Sequence, residues 1–137
     1  MSHEYETLQY NNASSLIRTH GIISIVFGAL GLLGGLFVLL LASASARGYY
    51  DELEIAGIVV LALIIVFVIL PHAYLVVSGI HLLREPRPET AKALIIINLV
   101  VGVFYNFVVL IFAIINLTQI NVYERGYRKL KHHAHHS

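Results

Sequence analysis

The chain has 137 residues, 58% hydrophobic and only 12% charged, with a net charge of +1 and no cysteine. Its mean hydropathy is +0.78, and a soluble domain carries about twice this share of charge. These figures exclude a soluble globule, a disordered chain, a disulfide scaffold and a nucleic-acid binder, and leave a small polytopic membrane protein.

The charged residues fall in four clusters. Glu4, Glu6 and Arg18 form the first, and Arg47, Asp51, Glu52 and Glu54 the second. Arg84, Glu85, Arg87, Glu89 and Lys92 form the third, and Glu124, Arg125, Arg128, Lys129 and Lys131 the fourth. Three uncharged apolar stretches lie between them, Gly21 to Ala46, Ile55 to Leu83 and Ala93 to Tyr123. Each exceeds the ~20 residues that cross a hydrocarbon core. The first is no signal peptide, despite Ala42-Ser43-Ala44, because the run is too long and its leading flank is not basic. The chain therefore reads as a polar segment 1–18, a transmembrane bundle 19–124, and a basic, His-rich tail 125–137.

The third stretch admits two readings. As one helix its 31 residues would reach ~46 Å, well beyond the core thickness, and the protein would have three long helices. As two helices turning near Phe104-Tyr105-Asn106 it gives four spans. Positive charge arbitrates, since Lys and Arg concentrate on the cytoplasmic side. Four spans place eight Lys/Arg on one side and Arg47 alone on the other, whereas three spans give no bias. The expectation is an all-α integral membrane bundle of four helices with both termini cytoplasmic. Against it, the turn lacks Gly and Pro. Asn98, Gly102, Tyr105, Val109, Ala113 and Asn116 also recur at helical spacing, as on one continuous helix.

The first span carries a seam of small residues. In heptads from Gly21, one position reads Gly21, Gly28, Gly35, Ala42 and the other Ser24, Gly31, Val38, Ser45. Small residues let helix backbones approach in lipid, and Gly31 and Gly35 form a GxxxG pair. The seam predicts packing either against a second copy or partner, or against another helix of this chain.

Pro71 lies near the middle of the second span, where it removes a helical hydrogen bond and predicts a kink. His72 follows it, and an ionisable residue at that depth is a candidate site. Asn98 and Asn106 are its candidate companions, with interhelical hydrogen bonding as the alternative for each. His20 and His81 would sit near one interface on adjacent helices, a placement that could serve haem or a metal. Four histidines in the tail, His132, His133, His135 and His136, could bind Ni²⁺, Zn²⁺ or Cu²⁺.

Gly21-Ile22-Ile23 with Phe27-Gly28-Ala29-Leu30-Gly31-Leu32-Leu33-Gly34-Gly35 is one element of a wider pattern. Ser78-Gly79-Ile80-His81-Leu82-Leu83-Arg84 and Ala93-Leu94-Ile95-Ile96-Ile97-Asn98-Leu99 are the others. Over residues 21 to about 120 the chain resembles a loose group of small uncharacterised bacterial four-span membrane proteins. It departs from them at Glu89-Thr90-Ala91-Lys92 and at Tyr105-Asn106-Phe107. The resemblance implies four spans and no known activity.

No carboxylate lies inside an apolar stretch, which argues against a proton-coupled exporter, and no catalytic motif is recognisable. The expected function is a non-enzymatic accessory, assembly or interaction subunit, without a cofactor, that works in the bilayer as a homo-oligomer or in a larger membrane complex. The alternative is binding of a small ligand, haem, metal or ion around Pro71 and His72 or around His20 and His81.

Overall fold

A computed structural model describes the backbone of residues 2–49 and 54–136 and the side chains of residues 4–44 and 55–130. The described residues contain no strand. Helix α1 (Ser2–Tyr49) is followed by α2 (Glu54–Ile64), a π-helical turn (Ile65–Ile69), α3 (Leu70–Leu83), α4 (Pro88–Tyr105) and α5 (Phe107–His136). Four helices are long and apolar enough to span a bilayer, at Glu4–Ala44, Ile55–Leu83, Pro88–Tyr105 and Phe107–Leu130. The chain is an all-α, multi-pass membrane protein. The proposed boundaries at 18/19 and 124/125 are not breaks in the backbone, because α1 and α5 run through them. The tail histidines lie outside the described side chains.

The third apolar stretch is two helices, so the alternative of three long helices is set aside. The break is made by Asn106, whose backbone is extended (φ −154°, ψ 111°). Its Oδ1 accepts from the backbone N–H groups of Val108 (3.0 Å) and Val109 (3.1 Å), while its own N–H donates to the Gly102 carbonyl (3.0 Å). Asn is among the best N-cap residues because its short amide oxygen satisfies donors orphaned at a helix start. Gly102 provides the room. A Cβ there would lie 2.6 Å from the Leu110 nitrogen and 2.8 Å from its Cα, so only glycine lets the first turn of α5 fold back this closely.

The turn divides the small-and-polar stripe without destroying it. Pro88, Ala91, Ile95, Asn98 and Gly102 are buried on α4, and Val109, Ala113, Asn116, Ile120 and Tyr123 on α5. Both sets alternate spacings of three and four, the seam of helices packed at a shallow angle. Tyr105, which the continuous-helix pattern would have buried, is exposed.

The chain forms two compact units. One comprises Met1–Ser24 with Ser78–Ser137. Its core is Tyr10, Ala13, Ile17, Leu82, Ala91, Ile95, Ala113, Ile120 and Tyr123. At its charged end Tyr10 stacks on Tyr123 (centroids 5.5 Å apart, planes at 18°). Gly126 makes this possible, since a Cβ there would meet the Tyr10 ring at 2.5 Å. The Tyr123 hydroxyl donates to the Pro86 carbonyl at 2.7 Å, tying the α3–α4 loop to α5. Arg128 pairs with Glu124 (2.7 Å) and Glu89 (3.3 Å), and Lys129 with Glu6 (2.8 Å). These pairs are exposed and worth at most ~1 kcal/mol each, so the tyrosines hold this end.

The other unit is Ile25–Val77, a hairpin of the second half of α1 with α2, the π turn and the start of α3. The disturbance expected at Pro71 takes the form of the π turn, in which the Leu70 N–H bonds the Ile65 carbonyl five residues back. Proline lacks an N–H and its ring crowds the carbonyl four residues earlier; the wider turn, with one more residue per hydrogen-bonded ring, relieves that crowding.

Replacing Asn106 by Ala strands the N–H groups of Val108 and Val109 and should destabilise the protein by ~1–2 kcal/mol, whereas Asn106→Asp should retain most of the cap. Unfolding in mixed detergent micelles measures the difference, and equal losses for the two variants would mean that the side chain does not cap α5.

Candidate functional site

Within the first unit a layer of polar side chains crosses the core. His20 and Ser24 come from α1, Ser78 from α3, Asn98 from α4 and Asn116 from α5, and all five are fully buried. Two residue patterns place them there. The three-and-four spacing of the α1 seam puts His20 and Ser24 on its packed face together with Tyr10, Ala13, Ile17, Gly21 and Gly28. The same spacing puts Asn98 and Asn116 on the buried faces of α4 and α5.

Asn98 is the hub. Its Oδ1 accepts from the Ser78 hydroxyl (3.2 Å), and its Nδ2 donates to His20 Nε2 (3.0 Å) and more weakly to Ser24 Oγ (3.5 Å). An amide nitrogen donates and cannot accept. His20 Nε2 therefore carries the lone pair and Nδ1 the hydrogen. That Nδ1–H is buried without a partner, and so is Asn116 Oδ1. Asn116 turns its Nδ2 back to the Phe112 carbonyl at 2.8 Å.

The expected companions of His72 are engaged separately. Asn98 belongs to the polar layer and Asn106 caps α5. His72, in the hairpin unit, donates from Nδ1 to the Val68 carbonyl at 2.6 Å, and its ring occupies the space over Gly31. His20 and His81 do not form a pair: His20 is buried with Nε2 held by Asn98, and His81 is exposed. Among the described residues no three His, Cys, Asp or Glu side chains are grouped to hold a metal.

The glycine seam is filled from within the chain. A Cβ on Gly21 would lie 2.8 Å from the Gly79 carbonyl oxygen. In the hairpin unit, one on Gly28 would lie 2.7 Å from the His72 carbonyl oxygen, one on Gly31 would collide with the His72 ring, and one on Gly35 would lie 2.7 Å from Ile69. The seam fades beyond Gly35, where Val38 is 48% exposed and Ala42 is half-buried.

Sequence reasoning singled out Asn98 and Asn116 but joined neither to His20, and it read Ser24 only as a small packing residue. Ser78 and Asn98 are separated by 20 positions and Asn98 and His20 by 78. The available signal was that all five lie on small or polar seam positions of their helices.

Comparison with protein-family models, curated proteins and solved structures finds no match.

Replacing Asn98 by Leu would strand His20 Nε2 and take away the amide acceptor of the Ser78 hydroxyl. An unsatisfied buried group costs ~1–3 kcal/mol, so Asn98→Leu should destabilise by about that amount or more despite its added apolar bulk. A gain in stability in lipid or detergent would show that the layer does not hold the helices together. Gly31→Ala should also be destabilising, by ~1–3 kcal/mol as an overpacked contact, and shortening His72 to Ala in the same chain should recover most of that loss.

Proposed function

We propose that the chain is a non-enzymatic accessory or assembly subunit, working in the bilayer through close helix packing, with both termini on the cytoplasmic side. The observation that carries this reading is in the hairpin unit. No side chain from Ile55 to Leu70 is buried, although this is the first half of an uncharged apolar stretch. Helices in lipid gain by close contact with other helices, and small residues set where that contact is closest. The Gly31 and Gly35 positions are taken up by the hairpin itself. Gly34 is open, with nothing within 4 Å of a Cβ placed there. Leu30, Phe37 and Leu41, one and two turns away on the same face of α1, are 59%, 63% and 52% exposed. The docking helix, from a second copy or a larger complex, is assigned to this face.

The orientation rests on the eight-to-one distribution of Lys and Arg that four spans produce. Arg125, Arg128, Lys129 and Lys131 then meet anionic headgroups, an attraction of ~1 kcal/mol per residue near the surface.

A photo-crosslinking residue at Phe37, tested in native membranes, should give discrete protein adducts. Gly34→Leu should abolish them while leaving thermal stability unchanged, because that Cβ meets none of the described residues. Lipid adducts alone at Phe37, with Gly34→Leu migrating on native gels as the parent does, would overturn the assembly reading.

A further inference from the structure

We propose that the polar layer of His20, Ser24, Ser78, Asn98 and Asn116 is a binding site for one water molecule, which accepts from His20 Nδ1–H and donates to Asn116 Oδ1. The inference concerns the first unit alone and does not rest on the assembly reading.

Three observations carry it. The first is chemical complementarity. The layer has a buried donor and a buried acceptor without protein partners, and the donor is fixed as one by the Asn98 amide nitrogen at His20 Nε2. A water molecule has both functions, and buried waters characteristically join otherwise unsatisfied groups.

The second is register. Tyr10 stacks on Tyr123 and Glu6 pairs with Lys129, so α1 and α5 run antiparallel with His20 opposite residues 113–115. The close approach of Gly102 to Leu110 sets Asn98 opposite residue 114 on α5. Asn116 is thus one to three residues from the level of His20 and two from that of Asn98, within ~5 Å along the axis in each case.

The third is the alternative each group has forgone. Asn116 has spent its amide nitrogen on its own helix at the Phe112 carbonyl. Asn98 has its amide oxygen on Ser78 and its amide nitrogen on His20 and Ser24. Neither supplies the missing acceptor for His20 or the missing donor for Asn116. The layer contains no carboxylate and no Lys or Arg, so the chemistry fits a neutral ligand that both donates and accepts.

The test is water-edited solid-state NMR of the full chain in lipid vesicles, with uniform ¹⁵N labelling, His20 assigned from a His20→Gln variant and Leu75 from a Leu75→Ile variant. Magnetisation should reach His20 Nδ1 from water at mixing times that leave the buried Leu75 backbone silent. Asn116→Leu should diminish that transfer and leave the exposed His81 unaffected. Stability gives a second readout. In a double-mutant cycle of His20→Phe with Asn116→Leu, a bridging water predicts coupling of about five-fold or more in the unfolding equilibrium. The Asn116–Phe112 bond is lost in both backgrounds and cancels from the cycle. A His20 Nδ1 as silent as Leu75 in the parent protein would overturn the proposal, as would additive His20 and Asn116 substitutions. The parent-protein spectrum decides the matter even if a variant fails to fold.

Discussion

The amide of Asn98 is the constraint on which the first unit depends. Bulk water does not solvate a helix interface in hydrocarbon, so a buried polar group depends on a partner held inside the bundle, whether side chain, backbone or bound water. Asn98 meets that requirement by uniting α1, α3 and α4 through His20, Ser24 and Ser78. Apolar seams alone would allow the helices to slide by three or four residues, because one such step brings similar side chains into register. A polar layer does not slide so easily, since displacement separates donors from acceptors. A single buried polar position fixes register in coiled coils on the same principle. Individual bonds of this kind in membranes contribute only ~0.6–2 kcal/mol, so the specificity comes from their joint placement.

Close packing performs the complementary task. The hydrophobic effect does not favour one apolar helix contact over another in lipid, because the acyl chains are equally apolar. Contact distance then decides, and glycine permits the shortest. Gly21 receives the Gly79 carbonyl in one unit, and Gly31 receives the His72 ring in the other. His72 is held over that glycine by its bond to Val68, and the π turn just before it accommodates Pro71. The His72 ring, which the sequence marks as a candidate ligand-site residue, is seated against Gly31 of the facing helix. Gly34, one position from Gly35, points to the opposite condition, an apolar face that none of the described residues covers at that position.

At the charged end, magnitudes separate the visible interactions from the effective ones. The ion pairs of Arg128 and Lys129 are exposed and weak for that reason. Tyr123 is 1% exposed, stacks on Tyr10, and bonds the Pro86 carbonyl. It thus joins α1, α5 and the α3–α4 loop at one side chain. Glu85, in that loop, has a positive φ of 45°, a conformation non-glycine residues seldom adopt. It lies two positions beyond the end of α3, where left-handed residues commonly end a helix.

Composition determined that the protein is helical and crosses the membrane repeatedly, and charge placement favoured four spans over three, because hydropathy and charge are sums over local residues and lipid reads them locally. The seam from Gly21 to Gly35 was legible as a packed face for the same reason, through its heptad spacing. Which helix fills it was not, since Gly79, His72 and Ile69 become its neighbours only when the second span folds back. Asn106 could be read from sequence as part of a possible turn and as a candidate companion of His72; its role as a cap depends on Gly102 admitting Leu110. His20 looked like an interfacial histidine awaiting His81, and the tertiary structure instead gave it Asn98 from 78 residues away. A hydrogen-bond partner is a matter of direction and distance between separate helices, and no local pattern in the chain encodes those.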